Sequence, residues 1–177
     1  MAIYTKAGST FDNDEWFKTY PPHTEAFAGD RDQELLARLP ENVSLRGVEV
    51  GVYKGWLSER LLKARPLLNL TLVDTFITPE LLQVTEFAAP RRRIINLPST
   101  QAARACISER FDFVFIDADH EYEAVIADIV GWKPTTDLIC GHDYKRVGNS
   151  MNGVARAVDQ LVPKIELGRD MTWFGVS

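Results

Sequence analysis

Phe111-Asp112-Phe113-Val114-Phe115-Ile116-Asp117-Ala118-Asp119-His120 is an apolar run that stops abruptly in two carboxylates and an imidazole. So many large apolar residues in succession suit a strand buried on both faces of a parallel sheet. A second run, Asp137-Leu138-Ile139-Cys140-Gly141-His142-Asp143-Tyr144, ends in the same way. Two of the chain's three histidines sit at these two ends. If the strands are neighbours, their polar tips converge at the carboxyl edge of an open α/β sheet, where such sheets hold their ligands.

Around these two runs, strand-like and helix-like segments alternate from residue 45 onward. Strands are expected over 46–52, 70–73, 93–97, 111–117 and 137–141. Helices are expected over 55–63, 79–87, 100–108, 121–132 and 154–161, where apolar residues recur at helical spacing. Thr78 is placed to cap the second helix, with Pro79 at its first position; Ser99 and Asp119 are placed to cap the third and fourth. Segments 164–167 and 172–176 flank Gly168-Arg169-Asp170 and read as a closing β-hairpin. Five strand–helix units and a hairpin imply an α/β fold: a seven-stranded, mostly parallel sheet with helices on both faces and a C-terminal antiparallel β-hairpin at its edge. Trp56, Trp132 and Trp173 are expected in the core.

Residues 1–44 differ from the rest. Phe11, Trp16, Phe17, Tyr20 and Phe27 are scattered around Pro21-Pro22, and only 32–39 has an amphipathic helical pattern. The chain is thus read as an N-terminal segment, 1–44, followed by one domain, 45–177. The segment is either a packed cover or a lid over a substrate pocket, with Trp16, Tyr20 and His23 as substrate-facing candidates.

The 177 residues suffice for one sizeable core. Composition is that of a soluble globular protein, 45% hydrophobic and 25% charged. A net charge of −5 makes no case for nucleic acid or an anionic membrane surface as partner. The basic run Arg91-Arg92-Arg93 reads as a solvated turn. No stretch approaches the roughly 18 apolar residues of a membrane span, and the N-terminus has no signal-peptide core. Cys106 and Cys140 are isolated, without metal spacing, and read as reduced core thiols of a cytoplasmic protein.

The turn after the first strand, Val48-Glu49-Val50-Gly51-Val52-Tyr53-Lys54-Gly55, carries a second signal. A dinucleotide site would place G-x-G-x-x-G there. This chain has E-x-G-x-x-x-G, whose acid repels a pyrophosphate and suits an ammonium or sulfonium. Asp74 ends the second strand, where a carboxylate can accept hydrogen bonds from ribose hydroxyls. Either acid alone could merely hold local backbone. On consecutive strand ends of one sheet they point to a nucleoside with a cationic group.

Glu49-x-Gly51, Asp74, Ile116-Asp117-Ala118-Asp119-His120-x-Tyr122 and Gly141-His142-Asp143-Tyr144 together resemble the class I S-adenosylmethionine-dependent methyltransferases, with their Rossmann-like sheet. The nearest likeness is to the small-molecule O-methyltransferase branch and methyltransferase family 24, over residues 45–177. The resemblance implies that Glu49, Gly51, Val52, Tyr53 and Gly55 hold the methionine part of the cofactor. It implies that Asp74 takes the ribose, that Thr75 and Phe76 flank the adenine, and that Ser99 is the candidate near the adenine amino group, where the family often has an acidic or small polar residue after strand 3.

The polar tips would then form the acceptor half of the site. Buried carboxylates and imidazoles are costly unless paired or ligated, so their clustering marks a site. By the same resemblance Asp117, His142 and Asp143 would hold a divalent metal such as magnesium or manganese. His142 stands where an acid is more common, so a site without metal stays open. His120 would act as general base, oriented by Asp119 or Tyr122, with Asp117 beside it; alternatively Asp119 and His120 only precede the next helix. The activity implied is methyl transfer from S-adenosylmethionine to a hydroxyl oxygen of a small molecule, with a homodimer able to close the pocket. The alternatives are a metal-dependent hydrolase or hydroxylase using the same strand tips, and a non-enzymatic protein that binds the cofactor.

Overall fold

The computed structural model describes residues 29–147 and 150–175. Helix α1 (Gly29–Leu36) precedes β1 (Leu45–Val50), α2 (Trp56–Ala64), β2 (Leu68–Asp74), α3 (Pro79–Val84), β3 (Arg92–Asn96) and α4 (Ser99–Ala105). Strand β4 (Phe111–Ile116), α5 (Tyr122–Trp132) and β5 (Thr136–Gly141) follow. Then come β6 (Arg146–Val147), β7 (Ser150–Met151), α6 (Gly153–Leu161), β8 (Ile165–Leu167) and β9 (Trp173–Gly175).

The expected sheet is present. Its seven strands run in the order β3-β2-β1-β4-β5-β9-β8. The first five are parallel, and β9 and β8 are antiparallel at the edge. Strand β4 shows why both faces must be covered. Phe111, Val114 and Ile116 belong to one core cluster with Ala102, Ile129, Trp132 and Val158, contributed by α4, α5 and α6. Phe113 and Phe115 belong to the other, with Leu35, Leu61 and Leu81 of α1, α2 and α3. Each fully buried aliphatic or phenyl side chain contributes roughly 1.5–3 kcal/mol relative to exposure. The chain winds outward from β1 to β3 and then restarts on the other side of β1 at β4. The two tips at this reversal are tied by the Asp117 N–H, which donates to the Val50 carbonyl at 2.8 Å.

Several local expectations are corrected. Strand β1 ends at Val50 because Gly51 turns to φ +84°. The helix expected over 79–87 breaks after Val84 into a 3-10 helix at Glu86–Arg91, and the Thr85 hydroxyl donates to the Leu81 carbonyl. Ser99 does not cap α4: Pro98 takes that place, and the Ser99 hydroxyl accepts the Trp132 indole N–H at 2.9 Å. The N-cap of α5 is Glu121, while Asp119 accepts the Glu121 N–H. Trp56 is half exposed, edge-on to Tyr53, because it opens α2 on the solvent side. Trp132 and Trp173 are fully buried.

Within the basic run Arg91 and Arg92 are structural, while Arg93 is half exposed as expected of a solvated turn. Arg91 donates to the carbonyls of Leu62, Arg65 and Leu68, Arg92 to the Leu82 carbonyl and to Thr85, and Arg93 to Glu109. Buried Leu35 and Leu39 bring the 29–44 part of the N-terminal segment into the second core cluster, with α1 in place of the helix expected over 32–39. Phe11, Trp16, Phe17, Tyr20, His23 and Phe27 lie outside the described residues. Cys106 and Cys140 are buried and free.

Candidate functional site

The first turn is shaped by close approach. A Cβ on Gly51 would lie 2.3 Å from the Asp117 carbonyl oxygen, so the tips of β1 and β4 meet only with glycine there. Beside them, Asp74 ties two loops to the tip of β2. One of its oxygens accepts the N–H groups of Val52 at 2.8 Å and Tyr53 at 2.9 Å, and the other accepts Phe76 N–H at 3.0 Å. A carboxylate has about four acceptor directions, so three are taken by backbone. A ribose could therefore use about one without displacing an N–H.

A cavity of about 560 Å³ opens over these tips. Gly51, Tyr53, Asp74, Thr75 and Phe76 line it. Ser99 and Asp128 line it too, and Asp117 and Asp119 border it at β4. Glu49, Val52 and Gly55 are not among its lining residues.

Glu49 is 2% exposed and accepts the Ser58 hydroxyl at 2.5 Å. Burial pushes its carboxyl up to about 8, and the nearby Asp117 charge adds to the rise against the Ser58 bond. At neutral pH the ligand-free group is thus mostly uncharged. A cationic ligand beside it would favour ionisation, and its binding would then release a proton. Apparent affinity for S-adenosylhomocysteine is expected to rise between pH 5.5 and 7, by at most about tenfold per pH unit. Stability runs the other way: the advantage of the protonated carboxyl is full below its ordinary 4.5 and is lost as pH rises towards 8. Calorimetry in two buffers of different ionisation enthalpy measures the released proton. Glu49→Gln should abolish this release; an equal release from the variant would assign it elsewhere.

The polar cluster is built at the tips of β4 and β5 and closed from two further elements. His120 Nε2 lies 3.1 Å from Asp143 Oδ2 and 3.9 Å from Asp117 Oδ1. His142 Nδ1 lies 3.1 Å and 3.6 Å from the same two oxygens. Arg31 of α1 reaches Asp117 Oδ2 at 2.5 Å, and Lys145 reaches Asp143 Oδ1 at 2.7 Å. Behind His142, the hairpin residue Asp170 sits 3.5 Å from Nε2 and 3.6 Å from Arg31 Nε. Asp143 and Asp170 both adopt positive φ, which aspartate tolerates better than most residues.

Charge governs the protonation of this cluster. Burial opposes the charge on His142, but Asp117, Asp143 and Asp170 hold its imidazole well above the ordinary value and so favour its protonated form. Burial likewise works against Asp117 and Asp143, yet His142 and the neighbouring cations keep both far below the usual carboxylate range. The carboxylates of Asp117 and Asp143, 3.9 Å and 3.1 Å away, raise the half-exposed His120. Three carboxylates thus face Arg31, Lys145 and His142.

The structure therefore brings Asp117, His120, His142 and Asp143 together. It leaves Asp119 on the cavity wall, turned to Glu121, and sends the Tyr122 hydroxyl to Gln160 rather than to His120. Arg31, Lys145, Asp170 and Asp128 went unread in the sequence. The first two look like ordinary surface charges, Asp170 reads as a turn residue and Asp128 as part of a helix pattern.

A glycine turn pressed against the tip of β4, an acid ending β2 and a polar cluster at the reversal of a 3-2-1-4-5 sheet define a class I S-adenosylmethionine-dependent methyltransferase domain. Residues 48–144, more than half of the chain, match the methyltransferase domain of family 24, and the chain belongs to that family. Solved structures share the fold. One is the Burkholderia thailandensis 1,6-didemethyltoxoflavin-N1-methyltransferase with bound 1,6-didemethyltoxoflavin and S-adenosylhomocysteine (14% identity, 93% of this chain, 65% of that chain, TM-score 0.59). Another is CalS11, a TDP-rhamnose 3'-O-methyltransferase of calicheamicin biosynthesis (14% identity, 92% of this chain, 90% of that one, TM-score 0.62). A third is Aeropyrum pernix fibrillarin with natively bound S-adenosyl-L-methionine (12% identity, 84% and 74%, TM-score 0.60). The chain spans just under two thirds of the first of these. None of the curated proteins compared matches the sequence. No helix among the described residues is long and apolar enough to cross a membrane.

Proposed function

We propose that this domain transfers the methyl group of S-adenosylmethionine to a hydroxyl oxygen of a small molecule. The observation that carries the reading is the double position of Asp117. It borders the cavity and also faces His120, His142 and Asp143, so donor and acceptor sites share one residue. Two observations support the cofactor: the Gly51 turn borders the cavity, and Asp74 beside it retains acceptor capacity.

When bound, S-adenosylmethionine supplies an electrophilic methyl on a sulfonium, so the protein's task is alignment and proton removal. Gly51, Tyr53 and Asp74 would hold the cofactor, with Glu49 ionising. His120, half exposed at the mouth of the cluster, would take the acceptor's proton. Asp143 and Asp117 favour the imidazolium that results.

One observation favours a metal-assisted version. Asp117, His120 and Asp143 each offer a ligand atom within 4.8 Å of the others, a donor set suited to a divalent ion. His142 Nδ1 faces the same oxygens, so an ion there would compete with the His142 proton and with Lys145 for the carboxylates. Bound, the ion would lower the acceptor's pKa.

The test is calorimetric titration with S-adenosylhomocysteine, followed by methyl transfer to a panel of hydroxyl and amine acceptors with EDTA or with added manganese. Binding and turnover on hydroxyls are expected. No cofactor binding, with metal-dependent hydrolysis or hydroxylation instead, would favour the rival enzyme. Binding without turnover on any acceptor would leave a cofactor-binding protein. Turnover confined to amines would overturn the hydroxyl assignment.

A further inference from the structure

The carboxylates at the tips of β4 and β5 are already provided with cations. Arg31 and Leu35 lie one turn apart on α1 and so share a face, and Leu35 is fully buried in the second core cluster. That packing carries the Arg31 guanidinium to the carboxyl edge of the sheet. There its Nη1 stands 2.5 Å from Asp117 Oδ2 and its Nε 3.6 Å from Asp170 Oδ2. Lys145, just beyond β5, sets Nζ 2.7 Å from Asp143 Oδ1. The remaining oxygens, Asp117 Oδ1 and Asp143 Oδ2, are faced by His142 Nδ1 at 3.6 Å and 3.1 Å and by His120 Nε2 at 3.9 Å and 3.1 Å. Every oxygen of the pair thus has a nitrogen opposite it.

A divalent ion needs carboxylate oxygens that can turn to it, and it gains from their uncompensated charge. Here the charge of Asp117 and Asp143 is balanced within the chain by a guanidinium and an ammonium. Arginine keeps its charge at any working pH. An ion entering the cluster would meet those two cations a few ångström away, and repulsion at that range costs about tenfold or more in affinity even with strong screening. Nor does Arg31 stand aside freely. Its side chain is only 20% exposed and is held between Asp117 and Asp170, itself 1% exposed. Turning it out would leave the buried Asp170 carboxylate with one cation fewer, a costly exchange.

We infer that Arg31 and Lys145 are built-in counter-cations of the Asp117–Asp143 pair, standing in for the divalent metal that this donor set would otherwise hold, and that methyl transfer in this domain needs no metal. The inference rests on the methyl-transfer reading above and selects its metal-free version. The positive charge that helps an acceptor hydroxyl lose its proton then comes from fixed side chains. His120 keeps its ring nitrogen for that proton, since no ion claims it as a ligand. Arg31 and Lys145 thereby set which cation the cluster accepts, a role that the strand ends alone do not reveal.

The experiment titrates the full chain with manganese alone and reads free manganese by electron paramagnetic resonance. The proteins are wild type, Arg31→Met, Arg31→Lys, Lys145→Met, Asp117→Asn and the double variant Arg31→Met with Asp117→Asn. Wild type should bind weakly, with a Kd above about 1 mM, the weak end of protein cation sites. Removing either charge by methionine should tighten binding by about tenfold or more. Arg31→Lys, which keeps the charge, should stay close to wild type, and the double variant should lose the gain. Tighter wild-type binding that Asp117→Asn abolishes would overturn the inference. So would methionine variants no tighter than wild type, a gain that survives Asp117→Asn, or turnover that EDTA abolishes and manganese restores. Should Arg31→Met unfold, Lys145→Met, whose side chain is 33% exposed, carries the same comparison. Titration of wild type with S-adenosylhomocysteine separates the two readings. Cofactor binding alongside tight manganese binding strikes only this inference, and absence of cofactor binding strikes the methyl-transfer reading.

Discussion

Replacing His120 by alanine is expected to slow methyl transfer by about 10²- to 10⁴-fold, the usual range for a lost general base. Affinity for S-adenosylhomocysteine should stay within twofold. The side chain is half exposed, so the fold should be spared. Its ring nitrogen faces two carboxylates that favour the protonated product of the reaction, which is what a base at this position needs. Exogenous imidazole should restore part of the rate of the alanine variant. If His120 is instead a metal ligand, excess manganese restores the rate and imidazole does not. A variant with unchanged turnover would remove His120 from the chemistry altogether.

Replacing Asp74 by alanine should weaken S-adenosylhomocysteine binding by about 10²-fold or more. Hydrogen bonds to a charged group contribute roughly 1.5–3 kcal/mol each. One ribose bond is lost directly. The loops that carry Val52, Tyr53 and Phe76 also lose their common acceptor, and they form the cavity wall. Because those three N–H groups belong to the ligand-free protein, the melting temperature should fall as well. Asp74→Asn keeps one accepting oxygen and should recover part of both losses. The measurement is titration calorimetry paired with thermal unfolding of the ligand-free variants. Unchanged affinity in Asp74→Ala would mean that the ribose is held elsewhere.

How much of this was legible in the chain depends on how local each cause is. The core strands were legible because a strand buried on both faces needs an unbroken apolar run, and 111–116 is one. The turn at Gly51 was legible because few residues other than glycine tolerate its φ. The limits of α3 and the true cap of α4 were not, since Thr85 prefers the Leu81 carbonyl and Ser99 prefers the Trp132 indole, a residue distant in sequence. Trp56 was misread because helical spacing gives a stripe without saying where that stripe begins to meet solvent.

The same distinction runs through the site. Glu49, Asp74, Asp117, His120, His142 and Asp143 stand at strand ends, and strand ends are visible as places where apolar runs stop. Arg31, Lys145, Asp128 and Asp170 stand in helices and loops whose local pattern gives no reason to single them out. Sequence alone determined the parallel strands and the polar residues delivered to their carboxyl ends, because periodicity and chain direction are properties of short segments; the reversal beside β1 came from the tertiary structure. Only the tertiary structure decided how those charges are balanced: Glu49 is sealed from water, His142 is set among three carboxylates that favour its protonated form, and α1 brings Arg31 to Asp117 from 86 residues away. Protonation depends on burial and on neighbours in space, and neither is written in any one stretch of the chain.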